Sequence, residues 1–152
     1  MILVEDPIFK NLRGCYGSYN PIPKLKLLEE NSNNEELRKE ILNEFCDNLY
    51  HQGSVDLVSF LTLSLLIRLA LKCKFSDVEM IYLIGVIEIA RYEDSFQIPQ
   101  KYLTDYECEI RNVMLLAYMN KNWDYDFALA ATITIAAVNG QIDFAKSILY
   151  DD

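Results

Sequence analysis

An all-α fold is predicted, a HEAT/armadillo-like stack of helical hairpins with about six to seven helices behind an irregular N-terminal segment. Three observations predict it. Apolar residues recur at helical spacing from Lys24 to Leu149. Caps and breakers punctuate that stretch, as at Gly53, Pro99 and Gly140. Paired helices over Asn33–Leu71, Ser76–Met119 and Asp124–Leu149 repeat at a spacing of about 40 to 47 residues, and three such units are about the minimum for a stable stack. The 152 residues predict one domain, with 1–23 irregular and 24–152 carrying the repeats.

The run from Gly14 to Pro23 reads as turns. After Asn33-Asn34-Glu35-Glu36, the residues Leu37, Ile41, Leu42, Phe45 and Leu49 form one apolar stripe, so this is an amphipathic outer helix. Tyr50-His51-Gln52-Gly53 breaks it, with Gly53 suited to a left-handed residue and Ser54 placed to cap the next helix. Val55–Leu71 is apolar nearly all round and predicts an inner helix. Ser76-Asp77-Val78-Glu79 has the form of a capping box and opens a third helix through Ile89.

Pro99 suits the first turn of a fourth helix that runs to Met119. Leu103, Tyr106, Ile110, Val113, Met114 and Ala117 share one of its faces; Asp105, Glu109 and Asn112 share another. Asp124 and Asp126 fit the first turn of a helix over Phe127–Val138, where the dipole favours them. Thr132-Ile133-Thr134-Ile135 alone would read as strand, but the alanines before it argue helix. Asn139-Gly140 ends it, and Ile142–Leu149 is a short final helix.

The charge is uneven. Of 23 acidic and 14 basic residues, 13 and 5 follow residue 75, so about eight of the nine net negative charges belong to the C-terminal half. This balance opposes direct contact with nucleic acid or an anionic membrane and favours a basic partner. Cys15, Cys46, Cys73 and Cys108 have no metal-ligand spacing, so free thiols and no metal are expected. No phosphate loop is present, and no cofactor is expected. The N-terminus lacks the form of a secretory signal, and the greasy stretch Leu57–Leu71 contains Arg68; a cytoplasmic protein is expected. Nothing in the composition forbids a homodimer.

His51 is the only histidine, and Cys46 lies five residues before it, a poor alignment on a helix, so no catalytic dyad is expected. The candidate partner-binding residues are Glu88, Tyr92, Glu93, Asp94, Tyr102, Asp105, Glu109, Trp123, Asp124 and Asp126. Aromatics among acids are typical of interface anchors. Two of these residues keep alternative readings: Glu88 is either a rim residue or paired with Arg91 or Arg111, and Trp123 is either an anchor or a plug between repeats. The acids either converge into one patch or are ordinary solvated surface.

Three stretches carry a family resemblance: Leu49-Tyr50-His51-Gln52-Gly53-Ser54-Val55-Asp56-Leu57-Val58-Ser59-Phe60, Gly85-Val86-Ile87-Glu88 with Ile98-Pro99, and Ala136-Ala137-Val138-Asn139-Gly140-Gln141-Ile142-Asp143. Together they resemble HEAT-like helical immunity proteins of bacterial polymorphic toxin and contact-dependent growth inhibition systems. Leu61-Thr62-Leu63-Ser64 stands where that family has an aromatic and a proline. The resemblance implies a non-enzymatic inhibitor that binds the basic C-terminal domain of a cognate toxin, such as a nuclease. The alternative is a HEAT- or ankyrin-like scaffold for a non-toxin protein.

Overall fold

Asn34 opens the first long helix by accepting the backbone N–H of Leu37 at 3.1 Å, with Glu35 and Glu36 beside the positive helix end. In the computed structural model, which describes residues 1–150, this helix is α2 (Glu35–Leu49). A 3-10 turn (Pro7–Lys10), a two-residue hairpin of β1 (Arg13–Gly14) and β2 (Gly17–Ser18), and α1 (Ile22–Glu30) precede it. Then follow α3 (Leu57–Cys73), α4 (Val78–Glu93), α5 (Gln100–Ile110), α6 (Val113–Met119), α7 (Tyr125–Val138) and α8 (Ile142–Tyr150). The fold is all-α.

Alternate helices share a row. In one row α4 lies between α2 and α7; in the other α3 packs on α5 and α6, with α1 against α2 and α3. α8 folds back on α7 and reaches α4. This is how stacked helical hairpins bury a continuous core. α3 and α4 are the inner helices, and nearly every residue from Val58 to Ile67 and from Leu83 to Ala90 is buried. One core of buried side chains extends from Ile2 to Ala131, and a smaller cluster of Ile89, Ile133, Ala136, Ala137 and Ala145 lies under α8.

The tightest approach is between α4 and α7. A Cβ on Gly85 would stand 2.5 Å from Thr134 Oγ1, and that hydroxyl donates to the Ile81 carbonyl at 2.6 Å. Glycine is required there because no side chain fits between the helices.

Three local expectations differ. The cap of α3 is Asp56, which forms a capping box with Ser59, while Ser54 is bridged to His51 in the preceding turn. The cap position of α4 is Asp77, but its carboxylate makes no cap bond. Arg38 has captured it, with Nε to Oδ2 at 2.8 Å and Nη2 to Oδ1 at 2.9 Å, a bidentate pair that ties α2 to α4. The single helix expected from Pro99 to Met119 is broken between Ile110 and Val113. The Asn112 N–H turns tightly to the Glu109 carbonyl at 2.9 Å, and its side-chain amide donates to Glu109 Oε2 at 3.2 Å. A side chain competing locally for hydrogen bonds favours a turn over a continuing helix.

Candidate functional site

Four of the ten candidate residues are drawn into the interior. Glu88, 2% exposed, accepts a hydrogen bond from the Tyr106 hydroxyl and pairs with Arg91 at 3.4 Å. Of its two sequence readings, pairing with Arg91 is the one observed. Burial pushes the Glu88 carboxyl above the usual range, against the opposing pull of Tyr106 and Arg91. Tyr106 is fully buried, and its phenol is pushed well up by burial and by the Glu88 charge. Arg91 also lies over the Tyr106 and Tyr92 rings at 5.4 and 5.7 Å.

Asp105 and Glu109 do share a helix face, but the face turns inward. Arg68, from the middle of α3, reaches Asp105 at 3.1 Å and Glu109 at 3.2 Å. The backbone N–H of Ile2 donates to the same Asp105 oxygen at 2.8 Å, so the N-terminal chain is tied into this cluster. Tyr102 is buried, with Lys101 over its ring at 4.5 Å. Asp105 and Glu109 tie α5 to α3 through Arg68, and their carboxylates are committed to that pairing rather than to a partner. Arg68 is the signal that finds them: an arginine inside an apolar helix must be met by carboxylates.

The other six candidates are exposed, in two separate groups. Tyr92, Glu93 and Asp94 end α4, and Glu93 pairs with Lys146 of α8. Trp123, Asp124 and Asp126 lie at the start of α7. Val78, Glu79 and Tyr82 from the first turns of α4 line one cavity with Asp126 and Leu129, so the two helices start side by side. The two groups therefore lie at opposite ends of α4, about 20 Å apart by the helical rise. The acids do not converge into one patch.

The start of α7 is the richer end. Trp123 is half exposed; its Nε1 donates to the Ala117 and Asn120 carbonyls at 3.1 and 3.0 Å, and its ring stands 5.5 Å from Phe127. Asp124 caps α7 by accepting the Phe127 N–H at 2.9 Å. Beside them Met114, Leu115, Tyr118 and Tyr125 are exposed, Tyr118 at 86% and Tyr125 at 72%. Sequence reasoning placed Met114 on the buried face of an unbroken helix; the break at Arg111–Asn112 turns it outward.

A groove adjoins this end. Its main chamber, about 490 Å³, lies between α2, α4, α7 and α8, with an apolar lining that includes Cys46, Val78, Tyr82, Leu129 and Ile133. Asn43, Glu79 and Asp126 supply its polar lining. A second chamber of about 240 Å³ shares Val78 and Glu79 with the first and adds Glu35 and Asp124. None of Cys46, Glu79, Tyr82 and Leu129 was singled out as partner-binding from the sequence, because the groove forms between helices distant in the chain.

Burial, aided by the Asp47 and Glu79 charges, pushes the Cys46 thiol up to about 12, so it is protonated at neutral pH. His51 is engaged elsewhere, its Nδ1 2.9 Å from the Tyr16 hydroxyl. The four cysteines are free thiols. Among the described residues, no three His, Cys, Asp or Glu side chains are grouped to hold a metal ion, and no helix is long and apolar enough to cross a membrane. No protein-family model, curated protein or solved structure matches the chain.

Proposed function

We propose that this protein is an immunity protein that binds and neutralises the basic C-terminal domain of a toxin from a contact-dependent inhibition or polymorphic toxin system. One observation carries the binding part of this reading: Met114, Leu115 and Tyr118 of α6 are exposed, as are Trp123, Asp124, Tyr125 and Asp126 at the start of α7, and Trp123 joins the two segments through the Ala117 and Asn120 carbonyls. Clustered exposed apolar side chains rimmed by charge mark protein-binding surfaces. The acidity of the rim and the net charge of −9 select a basic partner. The resemblance of the 49–60, 85–88 with 98–99, and 136–143 stretches to immunity proteins supplies the kind of partner.

Co-expression with the toxin gene that this reading expects immediately upstream tests the proposal by growth. The intact protein is expected to protect the cells, and a Trp123→Ala/Tyr125→Ala variant that still folds is expected to protect poorly. Absence of protection by the intact protein refutes the reading.

A further inference from the structure

We infer that the groove across α2, α4 and α7 grips one segment of the partner, a short stretch presenting two or more aliphatic side chains next to lysine or arginine. The inference rests on the reading of this protein as a binder of a basic protein, and it names what is gripped and where.

Size sets the first limit. The main chamber, at about 490 Å³, is in the range of about 300–1,000 Å³ that accommodates drug-sized ligands, so it takes several side chains rather than one. Its floor sets the second. Cys46, Tyr82, Leu129 and Ile133 present apolar surface, and the protonated thiol adds no charge. Aliphatic side chains are what this floor can desolvate favourably.

The rim sets the charge. Among the described residues lining the main chamber, Glu79 and Asp126 are charged and no lysine or arginine is present. In the adjoining chamber Glu35 and Asp124 extend the acidic rim, while Asp77 is paired with Arg38 and Glu79 with Lys39 at 3.4 Å, which leaves Asp126 as the acid of the main chamber without a described ion pair. An uncharged occupant would strip water from Asp126 without replacing it, and an acidic one would be repelled. A second copy of this chain, itself at −9, brings the same repulsion. A cationic segment with aliphatic anchors meets both the floor and the rim.

The test uses fluorescein-labelled amphipathic Leu/Lys and Leu/Glu peptides, with binding to the full chain read by fluorescence anisotropy. The Leu/Lys peptide is expected to bind, and Tyr82→Ser and Asp126→Asn are each expected to weaken it by about tenfold, the scale of an interface residue that matters. Glu107→Gln removes the same charge from α5, at a residue that lines neither chamber, and is expected to leave peptide binding unchanged. Should Tyr82→Ser unfold by circular dichroism, Asp126→Asn on its exposed side chain decides alone. Any of three results overturns the inference: no Leu/Lys binding, or binding indifferent to the groove variants; equal binding of Leu/Glu or of an uncharged naphthalene dye; or a dimer in ultracentrifugation that Tyr82→Ser dissolves. Growth protection without groove-dependent peptide binding leaves the immunity reading standing and removes the groove; peptide capture without protection does the reverse.

Discussion

Glu88 interrupts an apolar helix because Tyr106 and Arg91 need it, and its burial makes the charge expensive. Desolvation outweighs the two favourable partners, so the folded carboxyl has a raised pKa while the unfolded one has the ordinary value. The folded state then binds the proton more tightly. The stability contributed by the protonated form is fully present below the ordinary carboxylate range and is lost as pH rises through the raised folded value. Glu88→Gln removes this titration. Urea midpoints measured from about pH 4 to pH 7 are therefore expected to show the wild type losing stability relative to Glu88→Gln as pH increases. A relative gain with rising pH would refute the account. Tyr106→Phe tests the same network from the donor side: it strips a buried carboxylate of a hydrogen bond and is expected to cost about 1–3 kcal/mol.

At the scale of the helices, the contact between α4 and α7 turns on one position. Gly85→Ala improves helix propensity by about 1 kcal/mol, yet its Cβ would meet Thr134 Oγ1 at 2.5 Å and Thr134 Cα at 3.2 Å. Moving the hydroxyl alone does not relieve the backbone contact, so the helices must part. The net effect expected is a loss of about 1–3 kcal/mol, read as a lower thermal midpoint. Thr134→Ala is expected to restore part of the loss by removing the nearer atom; no recovery would place the strain elsewhere. Helix existence was legible because period and caps are local: Asn34, Asp124 and Gly140 each mark a boundary within a few residues of it. The departures arise from long-range partners. Ser76 reads as the cap of a capping box, yet the cap position falls to Asp77, whose carboxylate is taken by Arg38 from far earlier in the chain. The helix ending at Ile110 reads as continuous because no proline or glycine marks the break, which involves Glu109 and Asn112 and lies beside the Arg68 cluster.

For the molecule as a whole, the concentration of acid after residue 75 overstated the available docking charge, since Glu88, Asp105 and Glu109 are committed inside. A stripe of acids at helical spacing looks solvated until its partner, Arg68, arrives from another helix. The remaining charge along the groove comes from both halves of the chain: Glu35 joins Asp124 and Asp126, while Glu79 is paired with Lys39. The acid chosen to probe it matters. Asp124 caps α7, so replacing it also weakens the helix by about 1 kcal/mol and confounds binding with folding. Asp126 makes no described ion pair or side-chain hydrogen bond, and Asp126→Lys changes the field by two charges with the cap intact. In stopped-flow association with a basic toxin domain, Asp126→Lys is expected to slow the on-rate severalfold at low salt. The difference is expected to shrink toward physiological ionic strength, where screening acts within about 8 Å. Trp123→Ala is expected to act on the off-rate, because a half-exposed aromatic contributes contact rather than steering. Equal on-rates for Asp126→Lys and wild type at low salt would mean that the acidic rim does not guide the encounter.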